Sequence, residues 1–135
     1  MKSLTVPAVT EQLNAVQSFV AGELDICGCP SKAAFQIALA VEEIFTNIAH
    51  YAYGSKAGNV TVRCEVRGQP VQVVIQFLDN GRPFDPLAKQ DADASEQALL
   101  SRDGGLGILL VKKSMDEVSY AYKNGRNVLT MRKNM

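Results

Sequence analysis

Residues 60–77 read Val60-Thr-Val-Arg-Cys-Glu-Val-Arg67, then Gly68-Gln-Pro70, then Val71-Gln-Val-Val-Ile-Gln-Phe77. In the first run Val60, Val62, Cys64 and Val66 alternate with Thr61, Arg63, Glu65 and Arg67. In the second, Val71, Val73, Ile75 and Phe77 share one parity, with Gln72, Val74 and Gln76 on the other. A period of two places one set of side chains on each side of a pleated strand. Two such runs joined by a Gly/Pro turn predict an antiparallel hairpin with one face on a core.

The pattern changes upstream. Leu13, Val16, Phe19, Val20 and Leu24 recur at spacings of three and four, which predicts an amphipathic helix over about 10–25 with Thr10 as its N-cap. Cys27-Gly-Cys-Pro30 breaks the chain. Ser31 can cap a second helix running to about residue 53, with Gly54 as terminator. Phe35, Ile37, Leu39, Val41, Ile44, Phe45 and Ile48 make it apolar on most sides, so it is expected to be deeply packed. Ahead of both helices, Ser3-Leu-Thr-Val-Pro7 alternates like a short edge strand.

Downstream, Asp79-Asn-Gly-Arg-Pro83 ends the hairpin sharply. Residues 87–103 are polar and rich in Ala, Asp and Gln, with a turn of helix expected at most at Ala98-Leu-Leu100. A long irregular stretch in a compact domain is commonly a functional lid. Gly104-Gly-Leu-Gly107 then enters a short buried helix at Ile108-Leu-Leu-Val111. Val118, Tyr120 and Tyr122 alternate up to Asn124-Gly125, a strong hairpin signal, and Val128-Leu-Thr-Met131 returns. The order β-α-α-β-β-lid-α-β-β predicts an α+β fold, a two-layer sandwich with helices on one face of a mainly antiparallel sheet.

The 135 residues, 47% of them hydrophobic, suit a single domain over 1–135. Lys+Arg and Asp+Glu both total 14, which argues against a broad cationic face for nucleic acid or membrane. Apolar runs are too short to span a bilayer, and Thr10, Glu11, Gln12 and Asn14 interrupt any signal-peptide core. Cys27, Cys29 and Cys64 form neither a disulfide framework nor a zinc site. A soluble cytoplasmic protein with reduced thiols is expected.

Three clusters point to chemistry. Glu43 and Asn47 lie one turn apart in an otherwise apolar helix, so their carboxylate and amide share a face. Burying that face without partners would cost on the order of a few kcal/mol, which places it in a cleft unless it is merely a solvated stripe. Asp79-Asn-Gly81 ends a buried strand, where a carboxylate can accept a hydrogen bond from a ligand amine and a glycine lets a flat ring approach. It is also an ordinary turn sequence. Gly104-Gly-Leu-Gly107 sits at a helix start, where free N–H groups and the dipole favour phosphate, although helix entry alone could require glycine. No Gly-Lys-Ser/Thr follows, so it is not a P-loop.

In this order the clusters resemble the N, G1 and G2 boxes of the GHKL (histidine-kinase-like) ATPase superfamily, and most closely the anti-sigma-factor serine kinases of the RsbW and SpoIIAB type. The matching stretches are Glu43-Ile-Phe-Thr-Asn47-Ile-Ala-His-Tyr-Ala-Tyr53, Asp79-Asn-Gly-Arg-Pro-Phe-Asp-Pro86 and Gly104-Gly-Leu-Gly-Ile-Leu-Leu-Val-Lys-Lys-Ser-Met-Asp116. The resemblance spans nearly the whole chain and implies a Bergerat-type fold. It implies that Asp79 accepts the adenine amino group, with Gly81 giving the base room. Asn47 would coordinate Mg²⁺ on the phosphates of ATP or ADP. Gly105 and Gly107, with Gly104 and Leu106 in the same loop, would meet phosphate through backbone N–H groups. Glu43 would be the general base for a serine hydroxyl. Arg102, or else Arg82, would approach the γ-phosphate, and residues 87–103 would be the ATP lid.

Tyr51 stands where the family usually has His, and His50 falls one place earlier, so a packing or surface role is expected for it. The implied activity is phosphorylation of an anti-anti-sigma (STAS-type) partner by a protein that also binds a sigma factor, with a homodimer possible. The alternative is a nucleotide-sensing module that sequesters its partner without phosphotransfer; Glu43 favours the kinase, since sequestration needs no base. A histidine-kinase catalytic domain or a DNA-processing ATPase fits less well, for want of a phosphoacceptor hairpin, a transducer domain and a basic surplus.

Overall fold

The structure, a computed structural model, describes residues 1–88 and 105–135, with Gly105 and Leu106 described by backbone alone. Ten elements follow in order. They are β1 (Lys2–Pro7), a 3-10 turn (Thr10–Gln12), α1 (Leu13–Cys27), α2 (Ser31–Tyr51), β2 (Asn59–Arg67), β3 (Gln72–Asp79), a 3-10 turn (Pro86–Ala88), α3 (Gly105–Ser114), β4 (Glu117–Lys123) and β5 (Arg126–Asn134). The sheet is five-stranded and antiparallel throughout, in the order β1-β2-β3-β5-β4. This is the expected α+β sandwich, with β1 at an edge.

The alternation in the sequence sets the register. Val62 lies opposite Phe77 and Cys64 opposite Ile75, while Phe77 also faces Leu129 on β5. These side chains are buried against Val16 and Val20 of α1, Ile37, Val41 and Ile44 of α2, and Ile108 and Val111 of α3. Truncating one such residue to Ala typically costs about 2–5 kcal/mol. Thr61, Arg63 and Gln76 occupy the other face, half-buried. The β4–β5 hairpin closes through Asn124 at φ 54° and Gly125 at φ 75°. Two successive positive φ values are what a two-residue type I′ turn requires.

Some local expectations are corrected. Thr10 does not cap α1: it lies in the preceding 3-10 turn, and its hydroxyl donates to Glu11 Oε1 at 3.0 Å. The turn itself feeds the helix, since Leu13 N–H donates to Thr10 O. Ser31 is the first residue of α2, with Pro30 at the cap position. The helix is also less deeply packed than its composition implies, because Phe35 and Leu39 remain 65% and 48% exposed. The third helix extends beyond 108–111 at both ends. Among the described residues no helix is long and apolar enough to cross a membrane. From residue 89 on, the stretch expected as a lid lies outside the described residues, as do Arg102 and Gly104.

Candidate functional site

Helix α2 is the spine of the site, and three contacts mark positions along it. At its C-terminal end Gly81, just past β3, runs so close to Ala52 that a Cβ at 81 would lie 2.2 Å from Ala52 O. The next amide, Arg82 N–H, donates to that same carbonyl at 2.9 Å. One turn back, Ile48 lines a small crevice, about 10 Å³, together with Asp79, Phe84, Tyr120 and Asn127. Further back, Glu43 lies against Gly107 in the first turn of α3. From residue 52 to residue 43 the helix rises roughly 13 Å.

The Glu43–Asn47 pair forms as the one-turn spacing implies. Asn47 Nδ2 donates to Glu43 O at 2.7 Å and to Glu43 Oε1 at 3.0 Å. Both amide hydrogens are thereby used, and Asn47 is only 4% exposed. Among the described residues no hydrogen bond is donated to its Oδ1, an oxygen of the type that could serve a metal. Glu43 also borders a cavity of about 490 Å³ between α2 and α3, walled by Phe35, Leu39, Gly107, Leu110 and Val111. A Cβ on Gly107 would lie 2.0 Å from Glu43 Cδ, so glycine is needed there for the carboxylate to lie where it does.

Asp79 ends β3 on the helix-facing side of the sheet, 4% exposed. Its Oδ1 accepts from Gly81 N–H and from Asn127 Nδ2, each at 2.9 Å. Burial raises the Asp79 pKa above the ordinary carboxylate value, and these two donors oppose the rise. Burial thus disfavours the charged form, and the two donors offset only part of that effect. Asp85 acts locally: its Oδ1 accepts from Leu87 N–H at 2.8 Å, shaping the 3-10 turn. Lys112 Nζ ties α3 to that turn by donating to Leu87 O at 3.1 Å.

The sequence-derived residues thus fall into two groups joined by α2: Glu43, Asn47 and Gly107, and Asp79 with Gly81. Gly105 and Leu106 begin α3. Arg82, the alternative cation, turns toward the end of α2, where its Nε donates to Tyr51 O at 3.0 Å. His50 is exposed, as expected, and its ring meets Tyr51 edge-on at 6.0 Å.

One residue escaped the sequence reading. Asn127 is 4% exposed and lies directly across from Asp79 in the β3–β5 ladder. A signal was available, because Asn127 has the inward parity of Leu129 and Met131, and an inward-facing amide needs partners.

Over residues 6–133 the chain matches the histidine kinase-like ATPase domain. It belongs to that family, in the branch that holds the serine-protein kinase RsbW. The RsbW of Listeria monocytogenes serovar 1/2a is 33% identical over 133 residues, which cover 90% of this chain and 83% of the relative. That of Staphylococcus aureus (strain MRSA252) is 28% identical over 136 residues, covering 96% of this chain and 84% of its own. A chain from the crystal structure of the SiaB-SiaC complex of Pseudomonas aeruginosa has the same fold, with a TM-score of 0.58 at 18% identity, covering 100% of this chain and 90% of that one.

Proposed function

We propose that this protein transfers the γ-phosphoryl group of ATP to a seryl or threonyl hydroxyl of a protein partner, as an anti-sigma switch whose partners are a sigma factor and a STAS-type anti-anti-sigma protein. The observation that carries this reading is the order of contacts along α2. An acceptor carboxylate for a base (Asp79), a metal-type amide oxygen (Asn47) and a carboxylate at a helix start (Glu43 on Gly107) follow one another in the sequence a bound nucleotide triphosphate would present. The kinase names of the relatives support the same reaction, and the SiaB-SiaC title records a protein complex for a chain of this fold.

Each group has a task that its surroundings suit. Asp79 keeps Oδ1 occupied by Gly81 and Asn127, so its second oxygen is the one to receive an amino group. Asn47 would hold Mg²⁺ through Oδ1, and the fit is chemical, since Mg²⁺ prefers oxygen ligands and takes most of them from phosphate and water. When bound, that ion neutralises phosphate charge. Among the described residues no cluster of three or more His, Cys, Asp or Glu could hold a metal. Backbone N–H groups of Gly105, Leu106 and Gly107, with Gly104 before them, begin a helix whose dipole favours the phosphates. Arg102 would add positive charge at the γ-phosphate. Glu43 would take the proton from the attacking hydroxyl, held in place by the Asn47 amide.

Incubation with radiolabelled ATP, Mg²⁺ and a purified STAS-type partner tests the reading. Transfer of label to a seryl or threonyl residue supports it. Partner and nucleotide binding without transfer would replace it with the sequestering module.

A further inference from the structure

The base site as described leaves Asn127 unexplained. All four hydrogen-bonding positions of its amide are filled. Nδ2 donates to Asp79 Oδ1 at 2.9 Å and to Arg82 O at 2.8 Å. Oδ1 accepts from Phe84 N–H at 3.0 Å and from the Tyr120 hydroxyl. Two acceptors on one side and two donors on the other permit only one orientation of the amide. An ordinary ladder residue on β5 needs none of this. The side chain ties together the end of β3, the loop over residues 82–84 and β4, at the position directly across from Asp79.

We propose that Asn127 is a positioning residue for the base site, whose fixed amide holds Asp79 Oδ1 so that the ionised carboxylate offers Oδ2 as its free acceptor, which selects purines that present an exocyclic amino group. The inference rests on the nucleotide-binding reading above and deepens it. With Asn127 Nδ2 and Gly81 N–H both donating to Oδ1, that oxygen is engaged, and Oδ2 of the ionised carboxylate is the acceptor left for a ligand. Adenine offers an amino hydrogen there. Hypoxanthine offers a carbonyl oxygen, which would face the carboxylate unpaired and be rejected by about tenfold or more.

The titratable groups facing Asp79 and Asn127 are acidic or neutral: Tyr53 after α2, Tyr120 on β4 and Asp85 after β3, with Tyr122 beyond. The guanidinium of Arg82 is turned to Tyr51 O. No cation among these would neutralise a second carboxylate, so Asn127→Asp would place two carboxylates in contact that share a proton at low pH and repel at high pH.

ATP and ITP affinities of the wild type, Asn127→Asp and Asn127→Leu, measured by calorimetry from about pH 5.5 to 8.5, test the inference. Wild type should prefer ATP, with an affinity that does not fall as pH rises. Asn127→Asp should bind ATP at the acid end, where the shared proton takes the place of the amide hydrogen on Asp79 Oδ1, and should lose ATP affinity by about tenfold or more as pH rises and the two carboxylates repel. Asn127→Leu, similar in size and without an amide, should lose the ATP preference at every pH, and it decides the matter if the Asp variant fails to fold. Wild-type protein that binds neither nucleotide overturns the functional reading and this assignment with it. Wild-type protein that discriminates, beside folded variants that keep the same preference and pH profile, overturns the assignment alone.

Discussion

The Glu43 carboxylate and the Cα of Gly107 are close enough that a methyl group at 107 would fall 2.0–2.3 Å from the carboxylate atoms. Helix α3 therefore approaches α2 at a point where one residue must lack a side chain. Gly81 meets a similar limit at Ala52, but there the obstacle is backbone, with a Cβ 2.2 Å from the carbonyl oxygen and 2.7 Å from its carbon. Two glycines of the same motif set are thus held for different physical reasons.

That difference separates stability from chemistry. Gly107→Ala pushes the free end of a flexible side chain, so unfolding free energy should change by less than about 1 kcal/mol while phosphotransfer falls at least about tenfold, because the base is displaced. Gly81→Ala collides with the end of α2 and should cost about 1–3 kcal/mol or more. Thermal unfolding alongside an activity assay distinguishes the two. Equal losses of stability would contradict the assignment.

Asp79→Asn should uncouple the site from the fold in the opposite sense. An asparagine oxygen can still accept from Gly81 and Asn127, and the cost of burying a charge disappears. Burial raises the folded pKa of Asp79, so ionised Asp79 disfavours the fold at pH above that value, and the penalty fades as pH falls through it. The variant should melt at or above the wild-type temperature near neutrality, with the difference shrinking as pH falls into the carboxylate range. Its ATP affinity should be lost. The wild-type affinity should itself decline on acidification as Asp79 takes up a proton. A variant that melts well below wild type at neutral pH would show that the charge supports the fold.

Asn47→Ala addresses the metal. Wild-type protein should bind ATP more tightly with Mg²⁺ than without, and the variant should lose that increment, about tenfold, while metal-free ADP binding stays within about threefold. Calorimetry with and without Mg²⁺ reads both numbers. An increment that survives the substitution would place the ion elsewhere.

Much of this arrangement was legible in the sequence, for reasons that differ by residue. Val60 to Phe77 carry a period of two that only a half-buried hairpin satisfies, and Asn124-Gly125 suits the positive φ values observed there. Glu43 and Asn47 are joined by helical spacing alone. Phe35 and Leu39 misled because periodicity reports apolarity and not what lies opposite, and here they border the cavity beside Glu43. Thr10 misled because a 3-10 turn could supply the helix start without a side-chain cap. Asn127 had a readable inward parity, but its partner was hidden by distance. Asp79 stands 48 residues away and meets it only through the β3–β5 register. The steric reasons for Gly81 and Gly107 likewise arise from where α2 passes, which no local motif encodes.

The most direct test of the central claim is single-turnover phosphoryl transfer from ATP to a seryl-bearing STAS-type partner, comparing wild type with Glu43→Gln. Glutamine keeps the length of the side chain and an oxygen to accept from Asn47, but it cannot take a proton. The expected result is a transfer rate lowered by about 10²–10⁴-fold with ATP affinity unchanged within about threefold. Transfer at the wild-type rate in the variant would contradict the assignment of Glu43 as base, and with it the kinase mechanism built around the Glu43–Asn47 pair.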